Sequence, residues 1–353
     1  MEPKNIAAQV MKNCSIANAK NWGSYSVCGL LLRLRELYRW EKKLEPWADI
    51  DHGALLGWID AHERLWEGLA DEGFVSLEMD GRRFDPFCVE EINRVLMEDG
   101  LAYGAGYTRA MRPSFFLAEI LENHGEDGFH VIVLGDELAR DLTAYPAMVL
   151  GDMVFMRKQP MGFYLWEKLL EARGQRGGLL RMAFQDHGYD FSRTREAQIS
   201  VMEGIVDKEL QVYLHHELGE AREAVFPEAE WRKIVAGHPG TRVEHFARGI
   251  RDILADTCEG GLLSHIIENR NLGSLGFYAA NLSGFRKLLL PDMAGVYRKV
   301  RETDDWGLLE EVRTEGFEAA RKLAEELTDL YRRNKGSGKF REEAEKLLAR
   351  FRL

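Results

Sequence analysis

The segment ISVMEGIVDKELQVYLHHELGEAREAV, Ile199 to Val225, decides how the rest of the chain is read. At about 100° per residue, Met202, Val206, Glu209, Tyr213, His216 and Glu220 fall within an arc of roughly 80°, the rhythm of a buried helical seam. Two carboxylates and an imidazole therefore share a stripe with Met, Val and Tyr. Ile205 and Val212 flank it on one edge, and Leu210, Leu214, Leu218, Ala221 and Val225 on the other. The pattern predicts one continuous helix over 199–225, buried on more than one face, with His215 on the opposite and more exposed side. Buried charges need partners or a metal, and no Lys or Arg lies within the stripe itself.

His216 and Glu220 stand four residues apart on one face, with Glu209 two turns earlier, a mixed imidazole and carboxylate set suited to iron, manganese or zinc. Further ligands are expected from the helix read over 241–259, where His245, Asp252, Asp256 and Glu259 share a stripe. That stripe adjoins Arg248 and Arg251, a pattern that also suits a solvated face. The candidate metal set is thus Glu209, His216, Glu220, His245, Asp252 and Asp256, with Tyr213 as a supporting donor. The HxxxE pair and the HHE at 215–217 resemble one piece of the hemerythrin pattern. The resemblance covers only those residues, and the other hemerythrin elements are absent at matching positions. HExxH and the paired ExxH of ferritin-like sites are absent as well.

Two function classes follow. One is a metal-dependent enzyme using a divalent metal (iron, manganese or zinc) in a helical bundle. The other is a non-catalytic binding or scaffold protein, in which the same residues form a metal-free network that fixes helix register. A formal net charge of −11 without a Lys/Arg block argues against nucleic acid and anionic membranes as partners, while a small-molecule ligand and a homo-oligomer fit either class. The N-terminal MEPKNIAAQVMKNCSI lacks the apolar core of a signal peptide, and no run reaches membrane-span length, so a cytoplasmic location is expected. Cys14, Cys28, Cys88 and Cys258 are scattered without CxxC spacing, which predicts free thiols.

Outward from the central segment, the chain reads as mainly α, with N-terminal helices (1–72), a small β-containing α+β unit (73–160), an all-α C-terminal bundle (161–333) and a joint with a last helix (334–353). Ser24 or Ser26 starts a helix whose apolar face is Leu30, Leu31, Leu34, Leu37 and Tyr38, and whose limit is Pro46. A second helix, about Gly53 to Ala70, carries Leu55, Trp58, Ile59, Leu65, Trp66 and a packed His62. FVSLEMDGRRF and AMVLGDMVFMRK read as hairpins, and FHVIVLG as a buried strand followed by Asp136 as a helix cap. LAYGAGY lacks the third glycine of a nucleotide fingerprint and reads as a glycine-eased strand or loop. RGQRGGLLRMAFQDHGYDFSRT reads as a connector in which Asp186 and His187 serve turns. His265 is expected to be a satisfied core histidine.

Overall fold

The computed structural model describes residues 3–175, 177–334 and 338–351. They form two compact units, Met1–Trp166 and Glu167–Leu353. The chain is mainly α with some β: N-terminal helices, a small sheet, then helices to the end.

In the first unit α1 (Pro3–Asn21) comes from a stretch that the sequence pattern left unassigned. Three of its amide side chains bond to backbone far along the chain. Gln9 bonds both the N–H and the carbonyl of Glu78, Asn13 brackets Val75 in the same way, and Asn18 accepts from the Leu142 N–H. Amide side chains thus supply backbone pairing at Val75 and Glu78 in the manner of a neighbouring strand. Ile6, Val10, Cys14 and Ala17 are buried in the same core as the strands.

Ser26 caps α2 (Val27–Glu41) by accepting from the Gly29 N–H, as one of the two expected caps. Of the expected apolar face Leu34, Leu37 and Tyr38 are buried, whereas Leu31 is exposed. Asp51 caps α3 (His52–Leu69), which buries Leu55, Trp58 and Trp66. His62 is packed as predicted. Its ring lies 3.9 Å from that of Trp58, and its nitrogens meet the Trp58 carbonyl and the Glu41 carboxylate.

β1 (Leu77–Met79) and β2 (Arg82–Phe84) form the hairpin read at Asp80 and Gly81, both of which take positive φ, the conformation a two-residue turn requires. After α4 (Val89–Leu96) come β3 (Leu101–Tyr107), β4 (Pro113–Glu126), β5 (Phe129–Arg140), β6 (Ala147–Leu150) and β7 (Met153–Arg157). Their order is β3-β4-β5-β7-β6, with β5 and β7 parallel and the other pairs antiparallel. The GxG of LAYGAGY is a packing feature. A Cβ on Gly104 would stand 2.0 Å from the Phe116 ring, and one on Gly106 would meet Leu150 of the opposite edge strand at 3.3 Å, so the sheet is strongly curled. Asp136 does not cap a helix, because β5 continues through it to Arg140.

In the second unit the helices are the end of α5 (Lys158–Gly174), then α6 (Leu179–Asp186), α7 (Arg195–Arg222), α8 (Glu228–Gly237), α9 (Arg242–Thr257), α10 (Leu262–Glu268), α11 (Leu272–Asn281), α12 (Gly284–Leu289), α13 (Met293–Thr303), α14 (Gly307–Asn334) and α15 (Phe340–Leu348). α6 lies inside the stretch read as a connector, and it buries Leu180, Ala183 and Phe184. α7 is continuous, as the seam predicts, but ends at Arg222, leaving Val225 beyond it. α15 packs on its own unit, with Phe340, Ala344, Leu347 and Leu348 in the core shared by α9 and α14. The expected joint at NKGSGK falls largely on 335–337, outside the described residues. No helix among the described residues is long and apolar enough to cross a membrane.

Candidate functional site

α7 meets α9 at unusually short range because Gly219 faces the α9 backbone. A Cβ at that position would stand 2.5 Å from the Ala255 carbonyl oxygen. One turn away, His216 Nδ1 lies 2.7 Å from Asp256 Oδ1. The second oxygen of Asp256 accepts from the Tyr278 hydroxyl and from the Arg286 guanidinium, each at 2.8 Å. Arg286 also stands 3.9 Å from Asp252. Four helices, α7, α9, α11 and α12, therefore converge on one wholly buried carboxylate.

Burial works against charge on all of these groups, and their mutual attraction overrides it. The Asp256 charge and hydrogen bond, with Glu217 and Asp252 beyond, push His216 up to about 10 despite its desolvation. Asp256 is held below the usual carboxylate range, its burial offset by Arg286, His216 and Tyr278. Burial and the Asp256 charge push the Tyr278 phenol well up. At neutral pH the cluster is thus an imidazolium and a guanidinium around a carboxylate, with a neutral phenol as third donor.

The other two members of the stripe sit in separate networks. Glu209 is buried, accepts a short bond from the Ser274 hydroxyl and stands 3.2 Å from His187 Nε2. Gly273 lies flush on the His187 ring, where a Cβ would be 2.3 Å away. Glu220 pairs at 3.1 Å with Arg251, which also pairs with Glu228 and lies 4.2 Å over the Trp231 ring. The expectation that Glu209, His216 and Glu220 pool into one ligand set is not met. Each has its own protein counter-group, brought by a helix outside the stripe. Among the described residues no group of three or more His, Cys, Asp and Glu is arranged to hold a metal ion.

From α9, Asp256 and Asp252 reach the Arg286 network, while His245 is exposed and Glu259, also exposed, lies beyond the helix end at Thr257. The stripe read on α9 is thus solvated at His245 but closed at its C-terminal end, where Asp256 is fully buried and Arg251 nearly so. His215 and His216 are both half-buried. His215 meets the Gly260 carbonyl and stacks on His265 at 4.0 Å. Asp186 and His187 do more than make a turn. Asp186 accepts from Tyr297 and Arg301, and His187 reaches Glu209.

The first unit holds a second buried cluster that no periodicity announced. Glu36 of α2 pairs with Arg140 at 2.6 Å, Arg140 stands 3.5 Å from Glu137, and Glu137 pairs with Arg157 of β7. The Arg157 guanidinium also lies 4.3 Å over the Phe116 ring.

Residues 5–157 match the model of the family of unknown function (DUF6866) N-terminal domain, and residues 162–350 that of its C-terminal domain. No curated protein and no solved structure matches the chain.

Proposed function

The chain belongs to the DUF6866 family, and we propose that it is a binding or scaffold protein whose buried His and Glu residues form metal-free networks that fix helix register. The carrying observation is the separate saturation of the stripe. Glu209 has Ser274 and His187, His216 has Asp256, and Glu220 has Arg251. A metal at Glu209 or Glu220 would compete with groups already paired to them, and at His216 it would have to displace the proton of the ring nitrogen that Asp256 does not hold.

The physical role is specificity of packing. A buried ion pair is about as stable as an apolar pair of the same volume, but a slipped register would strand its charges, which costs about 3–5 kcal/mol. The three networks tie α7 separately to α6 and α11, to α9, α11 and α12, and again to α9 through Arg251. Such a bundle presents a rigid surface to a partner.

One observation favours a second reading, a metal-dependent enzyme. A buried carboxylate on His216 Nδ1 is the arrangement that orients histidine ligands through their other nitrogen. In that reading His216 would ligate a divalent metal through Nε2 once its ring proton is lost, with Asp256 orienting the ring. Elemental analysis of untagged protein, with thermal unfolding in the presence of iron, manganese or zinc, separates the two.

A further inference from the structure

β4 outruns one of its two neighbours. β3 pairs with it only as far as Glu119, and the last bond on that side runs from the Ile120 N–H to the Gly100 carbonyl. From Glu122 to Glu126 the strand still pairs with β5, while among the described residues no bond reaches its backbone from the other side. Leu121 to Gly125 are all exposed, yet Val131 and Ile132, their neighbours in β5, are wholly buried. The register shifts of β4 all lie before Glu122, so the bare stretch is regular. A strand edge thus stands open beside a closed core, and its outward N–H and C=O groups are donors and acceptors for an added strand.

Open edges are often guarded by Lys or Pro. This one carries neither. Residues 113–139 hold six acids, Glu119, Glu122, Glu126, Asp127, Asp136 and Glu137, and no Lys or Arg. Glu122, His124 and Glu126 alternate onto one face of the edge, and His124, 3.6 Å from Glu126, is the only basic side chain of the stretch. A second copy of this chain would lay Glu122, Glu126 and Asp127 against the same three acids. A chain of opposite charge meets no such repulsion. It would place one side chain opposite Glu122 and another, four residues along its own strand, opposite Glu126.

We propose that the outer edge of β4 over 121–126 docks an extended basic peptide of a partner protein as an added strand, with Lys or Arg at two positions four residues apart meeting Glu122 and Glu126. Main-chain bonds hold such a strand, and the two acids select it. This surface belongs to the first unit, and its docking is independent of the α7 networks and of what they bind.

Fluorescence anisotropy of the full chain with labelled ten-residue peptides tests this. The peptides carry two Lys residues, spaced two, three, four or five apart, in a background of Thr and Val. The expected result is tightest binding at spacing four, about tenfold tighter than a Lys-free peptide. Two further peptides, N-methylated at one or the other alternate set of residues, keep the charges and lose half of the backbone donors. One of them should lose binding. Glu122→Lys with Glu126→Lys should weaken the Lys peptide about tenfold and favour its Glu counterpart instead. The peptide series is read on the parent chain, so it stands whether or not the variants fold. The proposal is overturned if no Lys peptide exceeds the Lys-free one, or if neither methylated set matters, since charge alone would then attract the peptide. A dimer that excludes the peptide in sedimentation also overturns it, and makes a second copy the occupant.

Discussion

Asp256, fully buried in α9, holds the Nδ1 edge of His216 at 2.7 Å across the gap to α7, and that contact sets the charge on the ring. The gap is narrow only because Gly219 adds no side chain to it. Sequence, close helix approach and protonation state are therefore one connected feature.

Stability should follow the titration of His216. Its pKa is raised from about 6.5 unfolded to about 10 folded, so the folded state binds the extra proton between those values. The contribution is fully present below pH 6.5 and is lost as pH rises through about 10. In urea unfolding, His216→Gln should cost about 2–3 kcal/mol at pH 6, and the difference from the parent should shrink toward pH 10. A difference that is flat with pH would contradict the charged pair.

His265 should act with the opposite sign. Burial first, then the neighbouring His215, push it down to about 4. The unfolded chain takes up this proton at about 6.5, so stability falls as pH drops from 6.5 to 4. His265→Gln should flatten that part of the profile, measured by thermal unfolding between pH 4 and pH 7.

Gly219→Ala should destabilise by about 1–3 kcal/mol despite the better helix propensity of alanine, because the new methyl meets backbone. The α7–α9 separation would have to grow, and the His216 contribution above should shrink in the same variant. Urea unfolding of Gly219→Ala at pH 6 and pH 9 checks both effects.

In the first unit, Arg157→Ala leaves Glu137 buried beside Arg140 alone, and should cost about 3–5 kcal/mol in urea unfolding. Arg157→Met, which also lacks the charge, should be no better. The Glu137→Leu, Arg157→Met double variant should recover much of the loss.

The sequence made the elements legible where local chemistry and tertiary context agree. The seam of α7, the cap at Ser26, and the hairpins at Asp80–Gly81 and Gly151–Asp152 all lie where pattern and turn residues place them. It misled where the environment overrode propensity. The DELAR end of β5 is built of helix-favouring residues, yet Glu137 and Arg140 extend the strand to reach the buried pairs. α1 was obscured by amides whose partners are backbone groups far along the chain. At the candidate site, the stripe on α7 correctly marked Glu209, His216 and Glu220 as needing counter-groups. It gave no sign of which helices would bring them. Arg286 and Tyr278 lie in apolar runs, and Arg251 looked like part of a solvated face.

The most direct test of the central claim, that protein groups alone neutralise the α7 stripe, is stoichiometric metal analysis of untagged protein, paired with thermal unfolding in added iron, manganese or zinc. The account predicts a chain without stoichiometric metal whose midpoint does not rise with any of the three ions. Bound metal near one equivalent that disappears in His216→Ala would contradict it.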